Sequence, residues 1–163
     1  MSARMVFAAA ACVAAAASPP VASASPKCSD AAARSAVRYA KPRLSPFGNP
    51  QVMQAKSVGA VICFDATGDG RADMGVSFFS GGTAGDIGWA FFVAKDDGWR
   101  LGGSGEGYKL WVLRSGTKLE VRQPVYRKND ANCCPTGGLD HTLYGWNGSK
   151  LVAGRTWHTK GPG

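Results

Sequence analysis

Five residues at alternate positions form the segment of this sequence with the clearest metal-binding chemistry. Asp65, Thr67, Asp69, Arg71 and Asp73 occupy positions 1, 3, 5, 7 and 9 of a nine-residue segment. Calcium prefers about six to eight oxygen ligands on a curled backbone, with a glycine at position 6, which this segment also has. The pattern predicts a structural calcium site to which Arg71 contributes its main-chain carbonyl.

The same segment resembles the calcium loop of the FG-GAP repeats, which joins two strands in integrin-type and related bacterial β-propellers. The resemblance covers residues 65–73 and implies metal coordination by them. The sequence holds one copy of the segment, whereas propellers hold several, and Val76 stands where an EF-hand has its closing glutamate. The alternative is a tight β-turn whose aspartate side chains accept hydrogen bonds from local backbone N–H groups.

The N-terminal segment has the three parts of a secretory signal peptide. Arg4 supplies positive charge, an uncharged run over 6–17 follows, and residues 22–24 form a small-residue cleavage signal. The run is shorter than the roughly 20 apolar residues of a membrane-spanning helix. Residues 1–24 are therefore predicted to be removed, which leaves 25–163 as one secreted domain without a transmembrane segment.

Four cysteines remain after this cleavage, because Cys12 lies in the removed segment. An even number of cysteines in an oxidising compartment favours two disulfides. Cys133 and Cys134 are adjacent, so we expect each to pair with a distant partner, Cys28 or Cys63 in either order. This pairing would join the segment around residue 133 to the N-terminal helix and to the first strand.

The mature sequence begins with helix signals and continues with strand signals. The capping residue Ser29 and the alanine-rich segment after it predict a helix over about 29–41 that ends at Pro42. Residues 42–56 form a proline-rich connector. Seven apolar stretches of strand length follow, separated by Gly, Asp and Asn clusters, over 58–64, 74–79, 87–94, 108–113, 119–126, 139–146 and 151–157.

The short spacing of these stretches determines the predicted fold class. Connections of this length leave no room for crossover helices, so the strands should pair in antiparallel fashion. We expect an α+β, mostly β domain in which one N-terminal helix lies on an antiparallel meander of about seven strands. A curved sheet, a sandwich and a small barrel all agree with the pattern.

Two further segments carry a resemblance over most of the mature chain. Residues 80–86 contain a Gly-Gly-Thr turn, and residues 125–141 contain the segment Cys-Cys-Pro-Thr-Gly-Gly. Together with the Asp/Gly loop they resemble a group of secreted bacterial proteins that combine these three features. The resemblance implies one intact secreted domain and brings no activity with it.

Asp86, Glu106, Asp140 and His141 are the acid–base groups that a hydrolase would use. Two carboxylates far apart in sequence, such as Asp86 and Glu106, can serve a glycosidase. The sequence has no nucleophile elbow, no zinc-binding His-Glu helix motif and no phosphate-binding loop. A small secreted hydrolase is therefore the alternative hypothesis and not the leading one.

Charge and aromatic content favour a binding function. The sequence has 19 Lys and Arg against 11 Asp and Glu, and its cationic residues are scattered without a nucleic-acid motif. Trp111, one of five tryptophans, stands in an alternating strand pattern that can leave it exposed. We expect a non-catalytic, calcium-stabilised secreted domain that binds an anionic envelope polymer, a glycan surface or a protein partner, and no nucleic acid.

Overall fold

The structure is a computed structural model that describes residues 26–44 and 53–161, without the side chains of residues 41–43. The predicted signal peptide, residues 1–24, and residues 45–52 of the predicted connector lie outside the described residues. The rest of the connector includes a short 3-10 helix, Ala55–Ser57, just before the first strand.

The helix α1 spans Asp30–Leu44 and begins at the predicted cap. The hydroxyl of Ser29 accepts a hydrogen bond from the backbone N–H of Ala32 at 3.2 Å, which satisfies one of the free donors of the first turn. The predicted end at Pro42 was wrong, because the helix continues to Leu44. Leu44 is only 1% exposed, and its burial stabilises a last turn that the missing N–H of proline weakens.

Eight strands form two antiparallel sheets, so the prediction of an α+β, mostly β fold is confirmed. Each sheet is a four-stranded meander in which consecutive strands are neighbours. We name the sheet of β1–β4 sheet 1 and the sheet of β5–β8 sheet 2. The strands are β1 (Val58–Phe64), β2 (Asp73–Phe79), β3 (Asp86–Lys95), β4 (Gly98–Glu106), β5 (Trp111–Ser115), β6 (Lys118–Pro124), β7 (Leu139–Trp146) and β8 (Leu151–Thr159).

Strand β4 is absent from the predicted set because it is rich in glycine, which has low strand propensity. The glycines make room for large side chains between the sheets. A Cβ at Gly102 would lie 3.0 Å from the ring of Trp146, and one at Gly105 would lie 2.7 Å from Nε1 of Trp89. The tertiary packing of these indoles therefore explains a strand that local propensity does not predict.

The helix, sheet 1 and sheet 2 form three layers, so the sandwich is the alternative that the structure adopts. Sheet 1 lies in the middle and is buried on both faces by two hydrophobic clusters. The helix side includes Ala33, Val37, Leu44, Met74, Val76, Phe78, Ala90 and Phe92, and the side facing sheet 2 includes Phe64, Trp89, Phe91, Val93, Leu110, Val112, Leu119, Val121 and Leu151. Among the described residues, no element covers the outer face of sheet 2.

The predicted disulfide connectivity was wrong, because Cys28 bonds Cys63 and Cys133 bonds Cys134. Cys28 packs against the helix-side cluster, and Cys63 lies in β1 with a Cα–Cα distance of 6.0 Å to it. The loop that holds Cys133 connects two strands of sheet 2, on the other side of sheet 1. Closing the 35-residue separation of Cys28 and Cys63 stabilises the fold by about 4 kcal/mol on a loop-entropy model.

Candidate ligand-binding site around Lys109

Three connections between strands meet at Lys109. Lys109 belongs to one of them and forms hydrogen bonds with the other two. It belongs to the β4–β5 connection, residues 107–110. Its backbone N–H donates to the carbonyl of Ala84 in the β2–β3 turn at 3.2 Å. Its side-chain ammonium donates to the carbonyl of Asn132 in the β6–β7 loop. One lysine thereby links a turn of sheet 1 to a loop of sheet 2.

The backbone of Lys109 is in the left-handed region, which L-residues other than glycine rarely adopt. Its φ is 50°, and no other non-glycine residue among those described has a positive φ. Gly85 packs against it, since a Cβ at Gly85 would lie 3.5 Å from Cα of Lys109. The next residue, Leu110, donates its N–H to the carbonyl of Asp86 at 2.9 Å. Such strain of about 1–3 kcal/mol persists where surrounding contacts fix the conformation, and it concentrates at functional sites.

Two tyrosines surround the ammonium of Lys109. The rings of Tyr108 and Tyr126 meet edge to face at 5.7 Å, and Nζ of Lys109 lies 5.8 and 5.9 Å from their centroids. The hydroxyl of Tyr126 donates to the carbonyl of Asn132 at 2.9 Å, and that of Tyr108 donates to its side-chain oxygen. Cation–π attraction and these shared acceptors hold the charge in one place.

A cleft of about 340 Å³ lies beside Lys109, a volume typical of small-ligand sites. We call it the Lys109 cleft. It contains two of the three large hydrophobic side chains that are most exposed among the described residues, since Phe79 is 47% and Trp111 is 43% exposed. Its lining residues are Phe79, Gly85, Asp86, Lys109, Leu110 and Trp111.

The β6–β7 loop, residues 125–138, is closed at its base and fixed inside by one carboxylate. The N–H of Val125 donates to the carbonyl of Gly138 at 2.9 Å. The Asp130 carboxylate accepts the N–H groups of Arg127 and Thr136 and the Thr136 hydroxyl, each at 2.7 Å. The hydrogen bond from Arg127 and then those from Thr136 lower the pKa of Asp130. The loop therefore presents Asn132 to Lys109 from an anchored backbone.

A row of four side chains continues from the cleft across the outer face of sheet 2. Cross-strand pairing places Trp111 beside Arg122, Arg122 beside His141, and His141 beside Trp157. Directly paired residues of antiparallel strands point to the same face, and Val112, next to Trp111, lies in the core. We call these four residues the outer row.

A hydrogen-bonded network links two residues of the outer row, Arg122 and His141, to Glu120 and Thr159. Nδ1 of His141 lies 2.8 Å from Oε1 of Glu120, and Nε2 lies 2.9 Å from the Thr159 hydroxyl. The same Glu120 oxygen accepts from Nε of Arg122 at 2.8 Å. The hydrogen bond from Arg122, followed by that from His141, lowers the pKa of Glu120. Trp157 stacks on His141 at 4.6 Å and covers the network.

The four acid–base residues predicted from sequence occupy different settings. Asp86 lines the Lys109 cleft and lies two residues before Gly88, which pairs with Glu106 at the end of the β3–β4 ladder. Asp140 and His141 are consecutive in β7 and so point to opposite faces. Asp140 bonds His158 at 2.8 Å with both side chains exposed, whereas His141 is buried.

Sequence reasoning singled out Trp111 and Asp86 but not Lys109, Glu120 or Thr159. A single lysine among 19 Lys and Arg residues has no local signature, and its role depends on contacts that the fold creates. Glu120 was missed for a related reason, since a carboxylate in an alternating strand normally faces solvent.

The Asp/Gly loop is held by hydrogen bonds from its own backbone. The Asp65 carboxylate accepts the N–H groups of Gly68, Asp69 and Gly70 at 2.6, 3.2 and 2.8 Å. The turn alternative of the sequence analysis describes this arrangement, in which one aspartate closes the loop.

The third aspartate of the loop, Asp73, is fully buried in β2. Its carboxylate accepts the N–H groups of Ala66 at 3.0 Å, Thr67 at 2.9 Å and Ala94 at 3.1 Å. Three backbone donors compensate the burial of this group and tie the loop to β3.

The remaining aspartate, Asp69, pairs with Arg71. Both Nε and Nη2 of Arg71 donate to Asp69 Oδ2, at 3.1 and 2.9 Å, and Nη1 donates to Asp96 at 2.5 Å. This pairing lowers the pKa of Asp69. The Thr67 hydroxyl is buried and makes no hydrogen bond of ordinary geometry.

In this arrangement the loop does not fit the predicted five-ligand calcium shell. Asp65, Asp69 and Asp73 all accept hydrogen bonds from protein donors, and the Thr67 hydroxyl is the one buried side-chain oxygen of the loop without a hydrogen bond of ordinary geometry. Across the described ranges, no group of three or more His, Cys, Asp or Glu side chains is placed to hold a metal ion. Calcium binding at this loop stays an untested prediction, and the turn is the alternative that these hydrogen bonds favour.

Comparison with known proteins gives no match: no family model, no curated protein and no solved structure matches the chain. Within residues 26–44 and 53–161, no helix is both long and apolar enough to cross a membrane.

Proposed function

We propose that this protein is a secreted binding domain for an anionic polysaccharide, and that the polymer occupies the Lys109 cleft and continues over the outer row. One observation carries the proposal. Trp111 is exposed, belongs to both surfaces, and lines the same cleft as the cation Lys109 and the acceptor Asp86.

The chemistry of the cleft matches that of an acidic sugar. The apolar face of a sugar ring packs on Trp111 or Phe79, which combine large contact area with low conformational entropy. The Lys109 ammonium pairs with a carboxylate or phosphate of the polymer, and Asp86 accepts hydrogen bonds from sugar hydroxyls. Burying an aromatic anchor of this kind contributes about 2 kcal/mol or more to affinity.

Charge favours an anionic polymer over a neutral one. The chain has an excess of 8 positive charges. Arg155 lies over the ring of Trp157 with its guanidinium carbon 5.2 Å from the centroid, so a second cation lies at the far end of the outer row. Attraction by exposed cations weakens with ionic strength over a Debye length of about 8–10 Å, which makes the binding salt-dependent.

The experiment is calorimetric titration of the purified protein with a uronic-acid polymer, with neutral dextran as the control ligand. We expect binding of the acidic polymer alone, with affinity that falls as salt rises. Trp111→Ala should weaken it at least tenfold, whereas Tyr39→Ala should not, although Tyr39 is 86% exposed on α1. Equal loss in both variants, or no heat with the acidic polymer at low salt, would contradict the proposal.

The hydrolase alternative has one specific support. Thr159, His141 and Glu120 form a hydrogen-bonded series in the order hydroxyl, base and acid, at 2.9 and 2.8 Å. A fluorophosphonate probe, which reacts with activated hydroxyl groups, tests it. Labelling that is lost in Thr159→Ala and kept in Thr156→Ala supports a hydrolase, and no labelling of the wild type removes this alternative.

A further inference from the structure

The paired cysteines of the β6–β7 loop differ from the other disulfide in span. Cys133 and Cys134 are both exposed and adjacent in sequence. Cys28 is partly buried against the helix-side cluster while Cys63 is exposed, and the bond between them closes a separation of 35 residues.

This difference in span separates the roles of the two bonds. A disulfide stabilises a fold mainly by restricting the unfolded chain, and the effect grows with the length of the closed loop. The disulfide between the adjacent residues Cys133 and Cys134 closes only a small ring, so it restricts the unfolded chain very little. The base of the loop is held independently, by the Val125–Gly138 hydrogen bond and by the three bonds to Asp130. The Cys133–Cys134 bond can therefore open while the domain stays folded.

The Cys133–Cys134 bond restricts the backbone next to Asn132. Asn132 immediately precedes Cys133 and carries both acceptors of the tyrosine–lysine cluster. Its carbonyl accepts from Lys109 and Tyr126, and its side-chain oxygen accepts from Tyr108. A change in the backbone at Cys133 is transmitted directly to the side chains beside the Lys109 cleft.

We propose that Cys133–Cys134 is a site of thiol–disulfide exchange with a dithiol, and that its redox state sets the affinity of the Lys109 cleft. A thiolate of the dithiol attacks one cysteine sulfur, forms a mixed disulfide and expels the neighbouring cysteine as a thiolate. The second thiol of the reductant then attacks the mixed disulfide and releases the other cysteine. The pair gains two electrons and two protons, and the dithiol becomes a disulfide.

The direction of the effect follows from the donors of Lys109 and rests on the proposed function. The Lys109 ammonium has three N–H donors, and one of them donates to the Asn132 carbonyl. The remaining N–H donors can therefore bond a ligand in the cleft. The stronger consequence of reduction is that Tyr108, Lys109 and Tyr126 lose their fixed acceptors and must be ordered when a ligand binds. Ordering two or three long side chains weakens binding by about tenfold or more. The oxidised form is the binding form.

The first experiment treats the full-length native protein with graded dithiothreitol, followed by differential alkylation and mass spectrometry. We expect no free thiol at Cys133 or Cys134 before treatment. During treatment these two cysteines should be alkylated at least tenfold faster than Cys28 and Cys63. Free thiols at the pair in the untreated protein, or reduction of Cys28–Cys63 at the same rate or faster, would overturn the exchange site.

The second experiment compares wild type with the double variant Cys133→Ser and Cys134→Ser, which imitates the reduced loop. Amide hydrogen exchange should rise in peptides that cover residues 107–110 and 125–132 and stay unchanged in α1, in the absence of ligand. Unchanged exchange in both peptides would overturn the coupling whether or not any polysaccharide binds.

Titration with the uronic-acid polymer separates this inference from the proposed function. If the oxidised wild type binds, the double variant should bind about tenfold more weakly, and equal affinity would overturn redox control. If the oxidised wild type does not bind, the proposed function fails, and hydrogen exchange alone decides the coupling between the pair and Lys109.

Discussion

The side-chain ammonium of Lys109 donates a hydrogen bond to the main-chain carbonyl of Asn132, 23 residues further along the chain. The bond joins the β4–β5 connection to the β6–β7 loop, while the backbone N–H of Lys109 holds Ala84 of the β2–β3 turn. The two segments that flank this lysine, 80–86 and 125–141, are those that the sequence analysis singled out together. Their shared contact with Lys109 gives them a common structural role.

Lys109 has a strained backbone conformation and a side-chain ammonium that we propose binds the polymer. Two substitutions separate the effect of the strain from the effect of the charge. Lys109→Ala and Lys109→Gly should each weaken binding of the acidic polymer by about tenfold, because both remove the ammonium. Glycine adopts a φ of 50° without strain, so Lys109→Gly should be about 1 kcal/mol more stable than Lys109→Ala in urea unfolding. Lys150→Ala, which removes an exposed charge in the β7–β8 turn, is the control for net charge. Equal binding by Lys109→Ala and wild type would exclude the lysine from the site.

The buried carboxylate Glu120 should make stability depend on acid pH. Its pKa is lowered in the folded protein by Arg122, so below about pH 4.3 the unfolded chain takes up the proton first. The stabilisation is therefore complete above that pH and is lost as pH falls through the folded value. Glu120→Gln should cost about 2 kcal/mol at pH 7, and this cost should shrink as pH falls below about 4.3.

Denaturant unfolding of wild type and Glu120→Gln across this pH range is the measurement. The lowered pKa values of Asp69 and Asp130 are shared by both proteins, so the difference between the two curves isolates Glu120. A constant difference from pH 7 to pH 3 would mean that the charge of Glu120 contributes nothing to stability.

The two disulfides should differ in their effect on stability. Replacing Cys28 and Cys63 by alanine should lower the free energy of unfolding by about 4 kcal/mol, because a 35-residue separation is released. Replacing Cys133 and Cys134 by serine should lower it by less than about 1 kcal/mol. Urea midpoints of the two double variants give the comparison, and a larger loss in the second would reverse the roles assigned to the two bonds.

The calcium prediction is decided by melting the protein with calcium and with a chelator. The hydrogen bonds of the Asp/Gly loop favour an ion-free turn, so we expect the same midpoint at about 1 mM calcium and without it. Asp65→Ala should lower the midpoint equally in both conditions, because three backbone N–H groups lose their acceptor. A rise with calcium that disappears in Asp65→Ala would support the five-ligand site instead.

The elements that the sequence predicts well are those whose local pattern and tertiary setting agree. The β1 and β7 stretches have the predicted bounds, 58–64 and 139–146, because each is a stretch of strand length that turn residues bound. Strand β4 could not be predicted, since its glycines are explained by the indoles of the facing layer. The helix end at Leu44 likewise depends on the core that receives that side chain.

The site was predictable only in part. The alternating pattern at Trp111 allowed this aromatic residue to be exposed, and the structure leaves it 43% exposed. The role of Lys109 depends on Asn132 and Ala84, which no spacing rule brings together. The cysteine pairing failed for the same reason, because the layer order of the sandwich decides which cysteines meet.

Hydrogen exchange of the full chain, with and without the uronic-acid polymer, tests the Lys109 cleft most directly. We expect slower exchange on binding in peptides covering residues 79–86, 107–113 and 125–132, with α1 unchanged. Protection confined to other segments, or no protection at a polymer concentration that gives heat in calorimetry, would contradict the assignment of this cleft as the binding site.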